Sequence, residues 1–280
     1  MLHKKAIFIS QIKALLGFTL CATVIPLQAI PIYQEDAHTK NKGYGGGDMR
    51  KNGELLLMRN FIKPQNIVFD VGANVGSWSI HALQTCPDIK LYAFEPHPQA
   101  HEAFKSRLAQ FSLNLFPIAL SDAIGHVSFV SYVKVHRKNQ LDGSSKSGFF
   151  HRPIIERGRD RHNHSTIQVQ TIPLNDFCAA HQIEQIDFLK IDTEGAELLV
   201  LKGAHQLLAD NKIKHIQFEY GGTYPDAKIT LKEVYELLAS YGYSIFRILP
   251  NGLLRIPEWH SSLENYQYSN YFAIANEEII

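Results

Sequence analysis

The sequence predicts an α/β protein: a doubly wound, mostly parallel sheet with a β-hairpin/loop insertion. Three observations lead there. From residue 54 onward, short apolar runs alternate with helix-compatible segments. The β-like runs are apolar nearly throughout, as strands covered on both faces must be. Several of them end in an acidic residue, at the sheet edge where such folds bind ligands.

The chain opens differently. Lys4, Lys5 and Lys13 precede Ala14 to Gln34, a stretch without charge. With Pro26-Leu27-Gln28-Ala29 behind it, residues 1–29 read as a secretory signal peptide cleaved after Ala29, or as a signal-anchor. The 21 uncharged residues just suffice for a bilayer core of about 30 Å. Pro26 and Pro31 weaken the anchor, since an interior proline costs a helix roughly 3 kcal/mol. Export, or membrane association through residues 1–32, is the expectation; a cytoplasmic protein with an N-terminal extension is the alternative. Residues 30–53 are polar, with Gly43, Gly45, Gly46 and Gly47, and read as a flexible tether with little to pack.

The folded domain spans 54–280. Glu54 to Ile62 is an apolar helix closed off by Pro64. Ile67–Val71 is a strand, Ser77–Thr85 a helix, Ile89–Phe94 a strand, Gln99–Phe111 a helix and Leu113–Leu120 a third strand. The alternation then breaks. His126–Val135 and Thr166–Ile172 alternate like half-buried strands, and Arg137–His164 forms a long excursion between them. The insertion covers about 126–172. Leu174–His181 and Ala196–Ala209 read as helices around a strand at Asp187–Ile191. Strands at His215–Tyr220 and Tyr243–Ile248 flank a helix at Leu231–Tyr241, and Asn270–Ala275 is a last, antiparallel strand.

With 45% hydrophobic residues, 280 positions give ample core for one large domain. A formal net charge of +1 provides no field to steer nucleic acid, so no nucleic-acid partner is expected. Cys86 and Cys178 could pair in an oxidising compartment; they have no metal-ligand spacing, and two isolated buried thiols is the preferred reading.

The chemistry lies at the strand ends. The first run passes from Asp70 into Gly72-Ala73-Asn74-Val75-Gly76, a turn that lets the backbone approach a ligand. Asn74 stands where a dinucleotide fingerprint has its second glycine. Asp70 would repel a pyrophosphate and attract a cation. A ligand with an amine, a sulfonium and a ribose suits this turn, which describes S-adenosylmethionine. Glu95, 23 positions after Gly72, is placed to accept from both ribose hydroxyls. Ser121 or Asp122 could reach an adenine amino group. Lys190-Ile191-Asp192-Thr193-Glu194 and Phe218-Glu219 end two further strands. Any one of these acids has a plain explanation as a helix cap; their joint placement favours a site.

Val68 to Gly76, Ala93-Phe94-Glu95-Pro96, Ala119-Leu120-Ser121-Asp122 and Leu189 to Glu197 with Val200 to Ala204 resemble the FkbM-type methyltransferases, in motif order. The resemblance implies a Rossmann-like class I methyltransferase using S-adenosylmethionine, usually on a hydroxyl. Carried over by position, Asp70, Gly72, Ala73, Asn74, Gly76 and Glu95 would hold the cofactor, with Ser121 and Asp122 near adenine. The acceptor would be a carbohydrate, glycolipid or small molecule.

Transfer to a hydroxyl needs alignment of the acceptor and a general base within about 3 Å. Asp192 and Glu194 are the candidates, with Lys190 orienting them or pairing with a neighbouring acid. Glu197 reads as a surface or capping residue. Asp192 and Glu194 are also hard oxygen ligands, but spacing supplies no third, so no metal is assigned. His151, His162, His164 and His181, with Arg152, Arg157, Arg159 and Arg161, read as solvated residues, although an anionic acceptor would fit them. A catalytically inactive binding module and an NAD-dependent oxidoreductase are the competing functions.

Overall fold

The computed structural model describes residues 30–35, 42–133, 147–151 and 163–275. In chain order the elements are β1 (Ile32–Tyr33), α1 (Glu54–Phe61), β2 (Ile67–Val71), α2 (Ser77–Thr85), β3 (Lys90–Phe94), α3 (Pro98–Arg107), β4 (Asn114–Phe116), β5 (Ala119–Ser121), β6 (Gly125–Val133) and β7 (Asn163–Pro173). They continue with α4 (Leu174–Ala180), β8 (Ile186–Ile191), α5 (Glu197–Lys202), α6 (His205–Ala209), β9 (Ile213–Tyr220), α7 (Tyr224–Ala227), α8 (Leu231–Ser240), β10 (Tyr243–Leu249), β11 (Gly252–Ile256) and β12 (Ser269–Ala275). The main sheet runs β1-β11-β10-β12-β9-β8-β2-β3-β4. Strands β4, β3, β2, β8 and β9 are mutually parallel, and β12 enters antiparallel between β9 and β10.

Strand alternation assigns each residue to a face. Val68 and Phe188 pack with Leu57, Met58 and Ala82 on the side of α1 and α2. Phe69, Leu189 and Ile191 pack with Phe177, Leu201 and Leu238 on the other. Asp70 and Lys190 are register partners of β2 and β8, and Lys190 is in turn level with Gln217 of β9. A polar row therefore crosses an otherwise apolar sheet, on the face of α1 and α2.

Several elements differ from the sequence expectation. The third strand is two: β4 completes the main sheet, whereas β5 joins β7 and β6 in a separate three-stranded sheet. Pro117 sits at the break, where it has no N–H for a ladder. The insertion is thus a hairpin, β6 against β7, anchored by β5. The long helix at Ala196–Ala209 is interrupted at Gly203, where a Cβ would lie 2.0 Å from the carbonyl oxygen of Ser121. Helix α3 stops at Arg107, with Leu108 packed in the core and Phe111 in a following turn.

The glycine-rich segment is not a loose tether over its described part. Gly43 and Gly53, both at positive φ, lie so close to β10 that a Cβ would meet backbone oxygens of Ile248 and Leu249. Gly45 N donates to Tyr268 O at 2.7 Å. The Tyr44 ring covers the guanidinium of the fully buried Arg247, which also donates to the tyrosine hydroxyl. β1, which periodicity does not reveal, pairs with β11.

Cys86 and Cys178 are free and buried, and burial pushes the Cys178 thiol up to about 12. No helix among the described residues is long and apolar enough to cross a membrane. Residues 1–29, to which the export expectation applies, lie outside the described residues, as do Arg152, Arg157, Arg159, Arg161 and His162. His181 stacks on Phe177 at 4.2 Å between centroids.

Candidate active site

The carboxyl ends of β2, β3 and β8 are level, with Val71 paired to both Phe94 and Ile191. The turn after β2 is sewn to β3: Gly72 N and Ala73 N both donate to Phe94 O, at 3.1 and 3.0 Å. Gly72 and Gly76 have φ near +77° and +78°, a region that glycine enters without strain. What their missing side chains make room for is the protein itself. A Cβ on Gly72 would lie 1.9 Å from the Asp192 carbonyl oxygen, and one on Gly76 would strike Leu108 and Phe104. The turn is tight so that β2 and β8 can close on each other at the site. Asn74 adopts φ +48°, as asparagine does more readily than most residues.

Glu95 lies across the cleft, 5% exposed. Its Oε2 accepts from Asn74 N at 2.7 Å and its Oε1 from His97 N at 2.8 Å. Burial, reinforced by the charge of Asp70, raises its pKa to about 7, against the lowering effect of the two backbone donors. His97 caps the N-terminus of α3 and its Nε2 lies 2.6 Å from Ser131 Oγ on β6, so the insertion is tied to a residue that donates to Glu95.

Asp70 is fully buried, which differs from the expectation that it meets the ligand's cation directly. Its cation is internal: Lys190 Nζ lies 3.0 Å from Asp70 Oδ1, and Ser79 Oγ donates to Oδ2 at 2.6 Å. The same ammonium is 3.4 Å from Asp192 Oδ2 and donates to Gly72 O at 3.4 Å. Burial of Lys190 opposes its charge, but Asp70 and Asp192 outweigh that and hold its pKa above the usual lysine range. Lys190 thus joins the two readings the sequence left open: it is ion-paired, and it orients Asp192.

Beyond Asp192 the strand end turns sharply, with Glu194 at φ +56° and Gly195 at φ +107°. Glu197 is not a surface residue. It is 1% exposed and accepts from Thr193 N (2.8 Å), Thr193 Oγ1 (3.0 Å) and Gly195 N (3.1 Å). Burial raises its pKa to about 7.

Two cavities meet at Gly72, Asn74 and Asp192. One, of about 100 Å³, is lined by Glu95, Ile118, Leu120, Phe129, Phe149 and Glu194, among others. The other, of about 260 Å³, is lined by Glu54, Trp78, Lys190, Glu219, Tyr268 and Asn270, with Ala73 at its edge. Ser121 and Asp122 are not among the residues lining either. Ser121 is buried, donating to Asp122 Oδ1 at 3.2 Å, and Asp122 is exposed. The apolar side chains of Ile118 and Leu120 take the wall expected of them. Phe129 and Phe149 come from the insertion, and Glu54 from α1; spacing in sequence gave no signal for these. Glu219 was visible as a strand-end acid without a role.

The profile of the Methyltransferase FkbM domain matches residues 70–245. The chain belongs to the FkbM methyltransferase family. Its relatives include the 2-O-methyltransferase NoeI of Sinorhizobium fredii, 28% identical over 71% of this chain and 83% of that protein. The 31-O-demethyl-FK506 methyltransferase FkbM of Streptomyces tacrolimicus is 25% identical over 66% and 75%. The hexuronic acid methyltransferase AglP of Haloferax volcanii is 22% identical over 66% and 70%. This FkbM-family chain is an S-adenosylmethionine-dependent methyltransferase, and its residues fit that cofactor. Glu95 has its two carboxylate oxygens fixed at the cleft, as a ribose diol requires, and apolar and aromatic side chains wall the adjoining cavity.

Proposed function

We propose that this protein transfers the S-adenosylmethionine methyl group to a hydroxyl of a carbohydrate or other small-molecule acceptor. The observation that carries the reading is the position of Asp192, which lines both cavities and is held by Lys190. A group there stands at the junction of the two, where the donor's methyl group meets an acceptor. The names of the relatives support oxygen as the acceptor atom.

When bound, S-adenosylmethionine supplies an electrophilic methyl group on a sulfonium. The chain's own residues do the rest. Glu95 accepts the ribose hydroxyls, and Asn74 and His97 keep its oxygens in place. Phe129, Phe149 and Leu120 exclude water from the base end. Asp192 takes the proton of the acceptor hydroxyl as the new bond forms, a role worth about 10²–10⁴ in rate. Lys190 fixes the carboxylate, and Glu197 fixes the turn that follows it. Glu194 lines the donor cavity beside Asp192 and is the second candidate for contact with the reacting atoms.

Titration calorimetry with the methyl donor and with NAD tests the first half. Binding of NAD but not of S-adenosylmethionine would overturn it. Asp192→Asn tests the second half: donor affinity should stay within about threefold while turnover falls about 10²–10⁴-fold. Full turnover in that variant would remove Asp192 as the base. Export or anchoring is part of the proposal too, supported by Lys4, Lys5 and Lys13 ahead of the uncharged run 14–34. Fractionation of cells carrying a C-terminally tagged chain checks it, and a wholly soluble cytosolic product of full length would refute it.

A further inference from the structure

The residues matched to the family begin at Asp70, yet they do not close the donor site by themselves. The larger cavity is walled on one side by the turn after β2 with Trp78, and on another by Gly47, Met49 and Tyr268. Gly47 and Met49 belong to the segment 43–53, which two anchors hold on β10. At one end the guanidinium carbon of Arg247 lies 4.1 Å from the centre of the Tyr44 ring, and Arg247 Nη1 donates to the tyrosine hydroxyl. Arg247 is fully buried, and an aromatic face over a desolvated cation is among the stronger contacts of its class. At the other end Gly53 sits so close that a Cβ would lie 2.0 Å from Leu249 O.

Between the anchors the segment arches. Gly45 N donates to Tyr268 O at 2.7 Å, and Asn52 Nδ2 donates to Gly46 O at 3.2 Å, which ties the two legs together. The same amide reaches Glu54 Oε1 at 2.6 Å, and Gln217 Nε2 holds the other oxygen of that carboxyl from β9 at 2.7 Å. A Cβ on Gly45, Gly46 or Gly47 would meet nothing within 4 Å, so packing does not require glycine there. Gly45 and Gly46 serve φ values of +77° and +87°, and Gly47 leaves the cavity wall bare for close approach of a ligand.

We propose that residues 43–53 are a strap that completes the donor site, with Tyr44 as the positioning residue that pins it to Arg247. The proposal rests on the S-adenosylmethionine reading of the site. Tyr44 lines neither cavity, so its effect is exerted through the strap. Pinning keeps Gly47 and Met49 across the cavity from the turn after β2, and a wall already in place spares the donor the cost of ordering it. Without the pin, the glycines give the strap many conformations, and fixing one of them opposes binding.

The test uses the full chain and titration calorimetry with S-adenosylhomocysteine, which keeps the donor's ribose and amino-acid tail and has no methyl group to transfer. Tyr44→Ala should weaken binding about tenfold or more, and Tyr44→Phe, which keeps the ring over Arg247, should recover most of that loss. Tyr235→Phe is the control. It removes a hydroxyl bonded to Ile256 O and Pro257 O, at the end of β11 away from Leu249, and should leave the Kd unchanged. A thermal melt of each variant separates loss of the pin from loss of stability. Hydrogen exchange in the unmodified chain gives a second measurement: the amides of 45–52 should exchange about tenfold more slowly, or slower still, with the ligand bound. A lowered melting temperature with an unchanged Kd in Tyr44→Ala overturns the proposal, as does strap exchange that the ligand does not alter. Should Tyr44→Ala fail to fold, the exchange measurement alone decides. An unmodified chain that binds no S-adenosylhomocysteine would instead overturn the reading on which the proposal rests.

Discussion

Lys190 Nζ lies 3.0 Å from Asp70 Oδ1, on register-paired positions of adjacent parallel strands, with both side chains buried. Two opposite charges can share this interior only because each neutralises the other. Removing one partner of such a pair leaves a buried charge and costs about 3–5 kcal/mol. Lys190→Met should therefore lower stability in urea unfolding by that amount. The double variant Lys190→Met/Asp70→Asn should recover most of it. Additive losses in the double variant would show that the two residues do not act as a pair.

Glu95 sets a pH dependence with two opposite signs. Its pKa is raised from 4.5 to about 7, chiefly by burial. The protonated form is therefore favoured by folding. The associated stability, roughly 3 kcal/mol at 1.36 kcal/mol per pH unit, is present below pH 4.5 and lost as pH rises through about 7. Donor binding, which uses the ionised carboxylate to accept ribose hydroxyls, should tighten over the same rise. Calorimetry from pH 6 to 8 should show this, and Glu95→Gln should bind weakly with a flat profile. A Kd independent of pH in the unmodified protein would count against Glu95 as the ribose ligand.

Glu197 satisfies three donors of the turn after Asp192. Glu197→Ala orphans buried N–H groups, at about 1–3 kcal/mol each. Its expected signature is a lower melting temperature and a fall of about tenfold or more in kcat. The Kd for donor should be little changed, because Asn74 and Glu95 follow other strands, β2 and β3. Unaltered kcat in a folded variant would show that the turn does not position the catalytic residues.

Gly72→Ala and Gly76→Ala separate strain from space. Both positions need positive φ, which costs an alanine about 1–2 kcal/mol. At Gly76 the neighbours are the side chains of Leu108 and Phe104, which can shift; at Gly72 the neighbour is the backbone oxygen of Asp192. Gly72→Ala should be the more destabilising in denaturant unfolding and should abolish turnover. The reverse order would mean that β2 and β8 can separate at the site.

The order of strands and helices was legible because each depends on a local period, and the strand-end positions of Asp70, Glu95 and Asp192 were legible from the same pattern. The misreadings share a cause. Leu113 to Leu120 is apolar throughout, but Pro117 divides it between two sheets. Ala196 to Ala209 has helical composition, but Gly203 yields to the approach of Ser121. The glycines at 43–53 look like a tether, yet Gly43 and Gly53 are small because β10 lies against them. In each case a distant segment decides, and a local pattern carries no record of it.

The sequence by itself determined the α/β class, the glycine-spaced turn that follows Asp70, the place of Glu95 at the next strand end, and the family. Tertiary structure alone decided that Asp70 faces Lys190 and not the ligand, and that a second cavity joins Glu54 to partners far along the chain. Gln217 and Asn270, which bind the Glu54 carboxylate, are 163 and 216 positions away. Their meeting is set by the register of β9 against β8 and of β12 against β9. Register is a property of paired strands, and no single strand carries it.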